Sequence, residues 1–337
     1  MKLLVTGGCG FIGSNFVRLI LTEHPQWQLT NVDLLTYAGN RERLADVEGN
    51  RNYFFERIDI ADKDRMEDVF ARTRPDAVVH IAAETHVDRS IMDSAPFLHS
   101  NVIGTQVILD ACTRHKVNKM VHVSTDEVYG PAGPEESFDE NAPLKPRNPY
   151  SATKAAADHL VMAHHLVNGL NVVITRSTNN YGPHQHPEKL LPLVITNCME
   201  NQPLPVYGDG MQQRDWLYVE DHCRGILAAL EKGKAGEVYN LSAGCERPNL
   251  DIIKAVCRTL GKGEDKIRFV KDRPSHDRRY SLDSSKAENE LGFKPGPPIE
   301  ERLGQLVGWY EQNRQWWESI KAGEFKDYYK EAYKDRV

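Results

Sequence analysis

Two short stretches of this chain carry side chains that could move protons, and a third carries none but could hold an anion. Thr125, Asp126 and Glu127 stand where the apolar run Val121-His-Val-Ser-Thr125 ends. Side chains at the carboxyl end of a buried strand face the crevice in which open α/β sheets bind ligands. Two adjacent acids there suggest acid–base chemistry, although Asp and Glu also cap turns in ordinary loops. Tyr150 and Lys154 lie four residues apart at the start of an Ala-rich helical stretch, which places them on one face. Chance supplies a Y-x-x-x-K pair readily in a chain with 13 tyrosines, so the position of this one, on the helix that follows the acidic strand end, carries the argument.

The third stretch is Gly7-Gly-Cys-Gly10-Phe-Ile-Gly13, between the apolar run Lys2 to Thr6 and the helical pattern Asn15 to Leu21. Small residues let the backbone turn tightly and approach a pyrophosphate, and the helix N-terminus offers unpaired N–H groups and a positive dipole end. A second strand, Leu29 to Val32, ends at Asp33, about 20 residues past the last glycine, where an acid accepts from the adenosine ribose hydroxyls. An acid there repels a 2′-phosphate, which favours NAD over NADP. Arg41 and Arg43 lie near enough in sequence to pull the other way.

These residues need a scaffold, and the sequence supplies one by alternation. Strand patterns at Tyr53 to Ile58, Ala77 to Ala82, Met120 to Ser124 and Asn171 to Thr175 alternate with helical patterns at Arg65 to Arg72 and Asn101 to His115. The expected fold is α/β, a Rossmann-type doubly wound parallel sheet with right-handed crossovers. Gly130 to Asn148, rich in Pro, Gly and acids, reads as a loop that delivers the chain to the Tyr150 helix. Beyond about Arg176 the alternation weakens and prolines accumulate, consistent with a smaller, irregular second domain. Ser319 to Val337 reads as a solvated closing helix or tail.

Composition narrows the function classes. The 337 residues carry a formal net charge of −6, with Lys and Arg scattered among acids, so no nucleic-acid footprint appears. No apolar run approaches the roughly 20 residues that span a bilayer, and the N-terminus has no cleavable signal pattern, which points to the cytoplasm. Cys9, Cys112, Cys198, Cys223, Cys245 and Cys257 are dispersed without a C-x-x-C pair, so free thiols are expected. His184 and His186 form an H-x-H, but the partners that make a metal assignment are missing, and no metal is expected.

Taken together and in order, TGGCGFIGS, AAETHVDRS, STDEVYG, YSATK, NNYGPHQHPEKLLP, YGDGMQQRDWLYVEDH and DRPSHDRRYSLD resemble the extended short-chain dehydrogenase/reductase family of nucleotide-sugar epimerases and dehydratases. Within it they are most similar to the 4,6-dehydratases, over the chain up to about residue 317. The resemblance implies an NAD-binding domain over 1–175, with about 215–244 and 300–314 returning to it, interleaved with an α+β substrate domain over most of 176–337. It implies NAD held by Gly7, Gly10, Phe11, Ile12, Gly13, Asp33, Asp59, Ile60, Ala82, Tyr150 and Lys154. It implies TDP-glucose as substrate, met by Thr85, Asn180, Glu188, Lys189, Arg214, Asn249, Arg273 and His276. Thr85 stands where the family usually has Ser, and the hydroxyl is kept. A homodimer through a four-helix interface is also implied, and the apolar faces of Asn101 to His115 and Ala152 to Val167 suit it.

The chemistry can be argued beside the resemblance. A Tyr with a Lys one turn away can move a proton from a sugar hydroxyl as hydride leaves, and the ammonium should pull the phenol's pKa down. Thr125 can hydrogen-bond the same oxygen. Oxidation at C4 acidifies the C5 hydrogen, and loss of the C6 hydroxyl then needs a base and an acid. By resemblance Glu127 is the base and Asp126 the acid, and hydride returns to C6. Asp126 must then be protonated, which predicts a raised pKa from burial and from its neighbour's charge. A UDP-sugar 4-epimerase or UDP-glucuronate decarboxylase of the same family remains open, as does a non-catalytic NAD-binding regulator. The first two need no acid at position 126, and the last has no need of Tyr150 and Lys154.

Overall fold

The computed structural model describes residues 1–272 and 276–323. Its centre is a seven-stranded parallel sheet built from β1 (Lys2–Thr6), β2 (Gln28–Asp33), β3 (Tyr53–Arg57), β4 (Ala77–His80), β5 (Lys119–Thr125), β6 (Val172–Ser177) and a late strand, Glu237–Leu241. Between β6 and that strand run β7 (Asn179–Tyr181), β8 (Leu204–Tyr207) and β9 (Gln213–Tyr218), so the late strand is β10. The spatial order is β10-β6-β5-β4-β1-β2-β3. The order reverses between β1 and β4, and a crevice opens outside the carboxyl ends at such a switch point.

The period-two alternation of the strands explains why the sheet is covered on both faces. Leu3 and Val5, Ala77 and Val79, Val121 and Val123, and Val173 enter one core. Leu4, Val78, Met120, Val172 and Ile174, on the alternate positions, enter another. The first core is closed by α1 (Phe11–Glu23), the second by α2 (Lys63–Thr73), which follows β3. After β4 come α3 (Val87–Met92), a short α4 (Ala95–Phe97), a π-helical stretch at Leu98–Gly104 and α5 (Thr105–Arg114). The single helix read from the sequence over Asn101 to His115 is thus partly wide-turned: Gly104 lets Ile60 approach so closely that a Cβ would meet its Cδ1 at 2.6 Å. Truncating a fully buried side chain such as Leu4 or Phe16 to Ala should cost about 3 kcal/mol or more.

The helix that matters for the site is α6 (Pro149–Asn168). Asn148 accepts from the Ser151 N–H while the Ser151 hydroxyl accepts from the Asn148 N–H, Pro149 occupies the first turn, and Gly169 ends the helix at φ 68°. Both ends are therefore written in local sequence.

Downstream, α7 (Leu190–Met199) precedes β8, and α8 (Val219–Lys232) follows β9 and packs back on α1 and the sheet, contributing Val219, Cys223, Ile226 and Leu230 to the first core. The remaining elements are β11 (Glu246–Pro248), α9 (Asn249–Thr259), β12 (Ile267–Val270), α10 (Ser285–Leu291), α11 (Ile299–Gln312) and α12 (Arg314–Ala322). A separate core gathers Leu191, Ile195, Trp216, Ile253 and Val256 with Leu303, Leu306, Val307 and Tyr310 of α11. That helix packs its apolar face on α7 and α9, while Arg302 reaches Asp221 of α8 at 3.0 Å. Among the described residues, no helix is long and apolar enough to cross a membrane.

Candidate active site

The floor of the crevice is the end of β5. Thr125 is extended and begins a single tight turn, Asp126–Val128; its hydroxyl accepts from the Glu127 N–H at 3.3 Å and donates to Asp126 Oδ1 at 3.0 Å. Asp126 is 4% exposed, and its Oδ2 has no hydrogen-bond partner among the described residues. Burial first, and the Glu127 charge second, push its carboxyl up to about 8. Glu127 instead reaches the crevice with Oε2 accepting from the Asn148 amide at 3.0 Å. Two neighbours in sequence thus sit in unlike surroundings, which is how a fold can make one carboxyl an acid while its partner serves as a base.

From the other side α6 presents Tyr150 and Lys154. The Tyr150 N–H donates to Ser90 Oγ at 3.2 Å and its ring meets Phe97 edge-on at 6.4 Å, while Lys154 Nζ donates to the Val123 carbonyl at 2.8 Å. Thr125 is within hydrogen-bonding reach of the phenol. The pKa expectation for Tyr150 needs correction: burial, then the negative charge of Glu127, drive it well above its ordinary value. The sequence reading weighed only the ammonium one turn away, whereas Glu127 and Asp126, the larger of the acid contributions that raise the pKa, arrive on a separate segment. Burial lowers Lys154 itself to about 8, with Asp158 opposing.

The glycine loop forms the opposite wall. Gly7 takes φ +75°, and a Cβ there would lie 2.6 Å from Ala82 backbone; one on Gly13 would lie 2.1 Å from the Gly7 carbonyl oxygen. Gly10 caps α1 without any side-chain bond, leaving the helix N-terminus open. Asp33, at the end of β2, accepts from the N–H groups of Cys9 and Leu35 at 2.9 and 2.8 Å. Asp59 and Ile60 follow β3, and Asp59 Oδ2 pairs with His99 at 2.8 Å. All of these line one cleft with Phe11, Ile12, Ala82, Thr85, Thr125, Asp126, Glu127 and Tyr150. A cradle that Gly7 and Gly13 leave no room to substitute, beside a buried acid at the end of β2, fits a dinucleotide. Lys154 does not line it but lies beneath.

The cleft continues into a second lobe, with Thr85, Glu127, Glu188 and Lys189 on the border of both. Arg214, Asn249 and His276 line this lobe. The Asn249 Oδ1 is buried without a partner among the described residues, and His276 Nδ1 is 2.6 Å from Asp272. Arg214 donates to the Gln213 and Asp277 carbonyls and stacks over Tyr280. Asn180 lines the first lobe, but its amide already bonds Ser177, Thr178 and His222. Glu188 is enclosed by His86, Arg89 and His186 at 3.6 to 3.9 Å. Arg273 lies outside the described residues.

Sequence reasoning overlooked several residues. Tyr37, under the Arg89 guanidinium at 3.8 Å, belongs to the Glu188 cluster. Ser124, Ser177, Thr178 and Gln185 line the cleft. Asp215 collects Thr178, Ser242 and two backbone N–H groups between β6, β9 and β10. None carries a spacing signal, because each partner comes from a distant segment. The H-x-H separates in space: His184 packs on Trp309 at 4.7 Å, and His186 faces Tyr37.

Residues 4–305 match the GDP-mannose 4,6 dehydratase family. The dTDP-glucose 4,6-dehydratase of Streptomyces niveus is 51% identical, over 96% of each chain. Among solved structures, the dTDP-glucose 4,6-dehydratase of Streptomyces venezuelae with NAD bound superposes with a TM-score of 0.92 at 45% identity, over 95% of this chain and 100% of that one. A UDP-glucose 4-epimerase of Thermotoga maritima reaches 0.87 at 30% identity, over 93% and 99%.

Proposed function

The chain belongs to the GDP-mannose 4,6 dehydratase family, and from that premise we propose that it is an NAD-dependent hydro-lyase converting TDP-glucose to TDP-4-keto-6-deoxyglucose and water. The observation that carries the dehydratase over the epimerase is Asp126, a buried carboxyl with a free oxygen and a pKa near 8, beside Glu127 at the strand end. NAD, held by the glycine loop, Asp33 and the strand ends after β3 and β4, takes up hydride from C4 and gives it back at C6.

The protein's residues do the rest. Tyr150 accepts the C4 hydroxyl proton, with Thr125 hydrogen-bonded to the same oxygen and Lys154 beneath. Because the free site holds Tyr150 protonated, ionisation needs positive charge brought against it when the cleft fills. Once C4 is a ketone, Glu127 removes the C5 proton and Asp126 delivers its proton to the departing C6 hydroxyl; when hydride returns to C6, Glu127 gives the proton back to C5. The second lobe takes the nucleotide: Arg214 suits a diphosphate through its planar fork, with Asn249 and His276 lining the same lobe and Thr85, Asn180, Glu188 and Lys189 toward the sugar; Arg273, outside the described residues, is assigned to the diphosphate from its sequence motif alone.

Ile103 on the π-helical stretch and Leu166 and Val167 at the end of α6 are exposed apolar residues beside the α5 and α6 pair. We infer that two copies cover them in a four-helix homodimer, and that the enzyme works in the cytoplasm with its six cysteines reduced.

Purified protein incubated with TDP-glucose should yield a product lighter by one water, with no net NADH. An unchanged mass with the galactose epimer formed would overturn this reading in favour of an epimerase.

A further inference from the structure

Beneath the cleft, the same face of α6 that carries Tyr150 and Lys154 carries Asp158 one turn further on, 1% exposed. Its Oδ2 accepts from Arg176 Nε on β6 at 2.9 Å, and its Oδ1 lies 3.5 Å from His122 Nε2 on β5. Arg176 continues to the Tyr129 hydroxyl at 2.7 Å, and that hydroxyl donates to Asn240 Oδ1 on β10 at 2.9 Å. Three strands, the turn after β5 and a helix thus join in one buried network, with β5 and β6 meeting the carboxylate itself. Buried charges are costly unless paired, so a lone Lys154 ammonium here would tend to shed its proton.

We propose that Asp158 is a positioning residue for the reaction: its buried carboxylate, anchored by Arg176, keeps the Lys154 ammonium charged and fixes α6 against β5 and β6. The groups around Lys154 support this division. On α6 they are Tyr150 and Asp158, one turn to either side, and on β4 and β5 His80 and His122, while Arg176 of β6 stands behind Asp158. Burial pushes His122 down to about 4 and His80 well below its ordinary value, so both are neutral. Burial alone would raise Asp158, but the His122 contact and the charges of Arg176 and Lys154 hold it down to about 2. Asp158 is thus the ionised acid nearest Lys154 on its own helix. Its catalytic effect rests on Tyr150 and Lys154 handling the C4 hydroxyl proton, whereas the titration of Lys154 does not depend on that reading.

The test follows the Lys154 side chain by NMR in protein labelled with ¹³C-lysine, its signal assigned by loss in Lys154→Met. Asp158→Asn should move the Lys154 midpoint down by roughly one pH unit, and Asp158→Glu, which keeps the charge, should hold it near the wild-type value. A purely structural role leaves the midpoint unmoved in Asp158→Asn. An unmoved or higher midpoint in Asp158→Asn overturns the proposal. If Asp158→Asn does not fold, Asp158→Ser decides in its place: a lower midpoint supports the proposal, and an unmoved or higher one overturns it. Single-turnover C4 oxidation in Asp158→Asn, read as NADH absorbance above the new midpoint, should slow about tenfold with KM unchanged, and Asp158→Glu should restore it. A correct Lys154 shift with unslowed oxidation would overturn the link to catalysis while leaving the counterion role standing.

Discussion

The two walls of the cleft are made by different means. On the side of β1 and β2 the wall is backbone: Gly7 and Gly13 sit where any Cβ would collide, and Asp33 is held by two N–H groups. On the far side it is buried charge: Glu188 among His86, Arg89 and His186, and Arg214 stacked on Tyr280. Backbone dipoles are fixed once the chain folds and do not titrate. Buried charges depend on partners from several segments and on protonation, so that wall can be tuned residue by residue. Cofactor retention should therefore fail all at once, and substrate recognition in graded steps.

Gly13→Ala attacks the first wall and should have the largest effect. Its Cβ cannot coexist with the Gly7 carbonyl, so the cradle must open; NAD released per subunit on denaturation should fall below about one tenth of the wild-type content. Retained NAD would show the wall to be less rigid than its geometry. Arg214→Ala should leave NAD content intact while raising KM for TDP-glucose by about 10- to 100-fold, the worth of one charge-assisted contact of roughly 1.5 to 3 kcal/mol. A loss of bound NAD in that variant would erase the distinction between the walls. The smallest effect is that of pH on the intact enzyme. With Asp126 as the proposed acid and its pKa raised to about 8, water loss should be steady near neutrality and fall as pH climbs through 8, about tenfold per unit beyond it. Lys154, lowered to about 8, works in the same direction on C4 oxidation, and single-turnover profiles of the two steps separate them.

The same contrast explains what could be read from the sequence. The glycine loop, the strand and helix alternation and the Tyr150–Lys154 spacing are local, so period and propensity expose them. The start of α6 was equally legible, since the loop through Asn148 hands over at once to Pro149 and Tyr150; its end at Gly169 is also local but was not read. The sign of the Tyr150 shift was not, because Asp126 and Glu127 approach from the end of β5. Nor were Asp158 and Arg176, whose pairing follows only from α6 lying across β6, or the wide turns of 98–104, where Gly104 lies against Ile60. The pairing of β10 with β6 joins segments about 60 residues apart, which no local pattern encodes.

The account turns on the two carboxyls at the end of β5, and one measurement reaches them directly. In rapid-quench single turnovers, Asp126→Asn should still form the 4-keto hexose nucleotide and reduce NAD at near wild-type rate, while release of water slows by about 10² or more. Water loss at the wild-type rate in that variant would contradict the role of Asp126 as the acid.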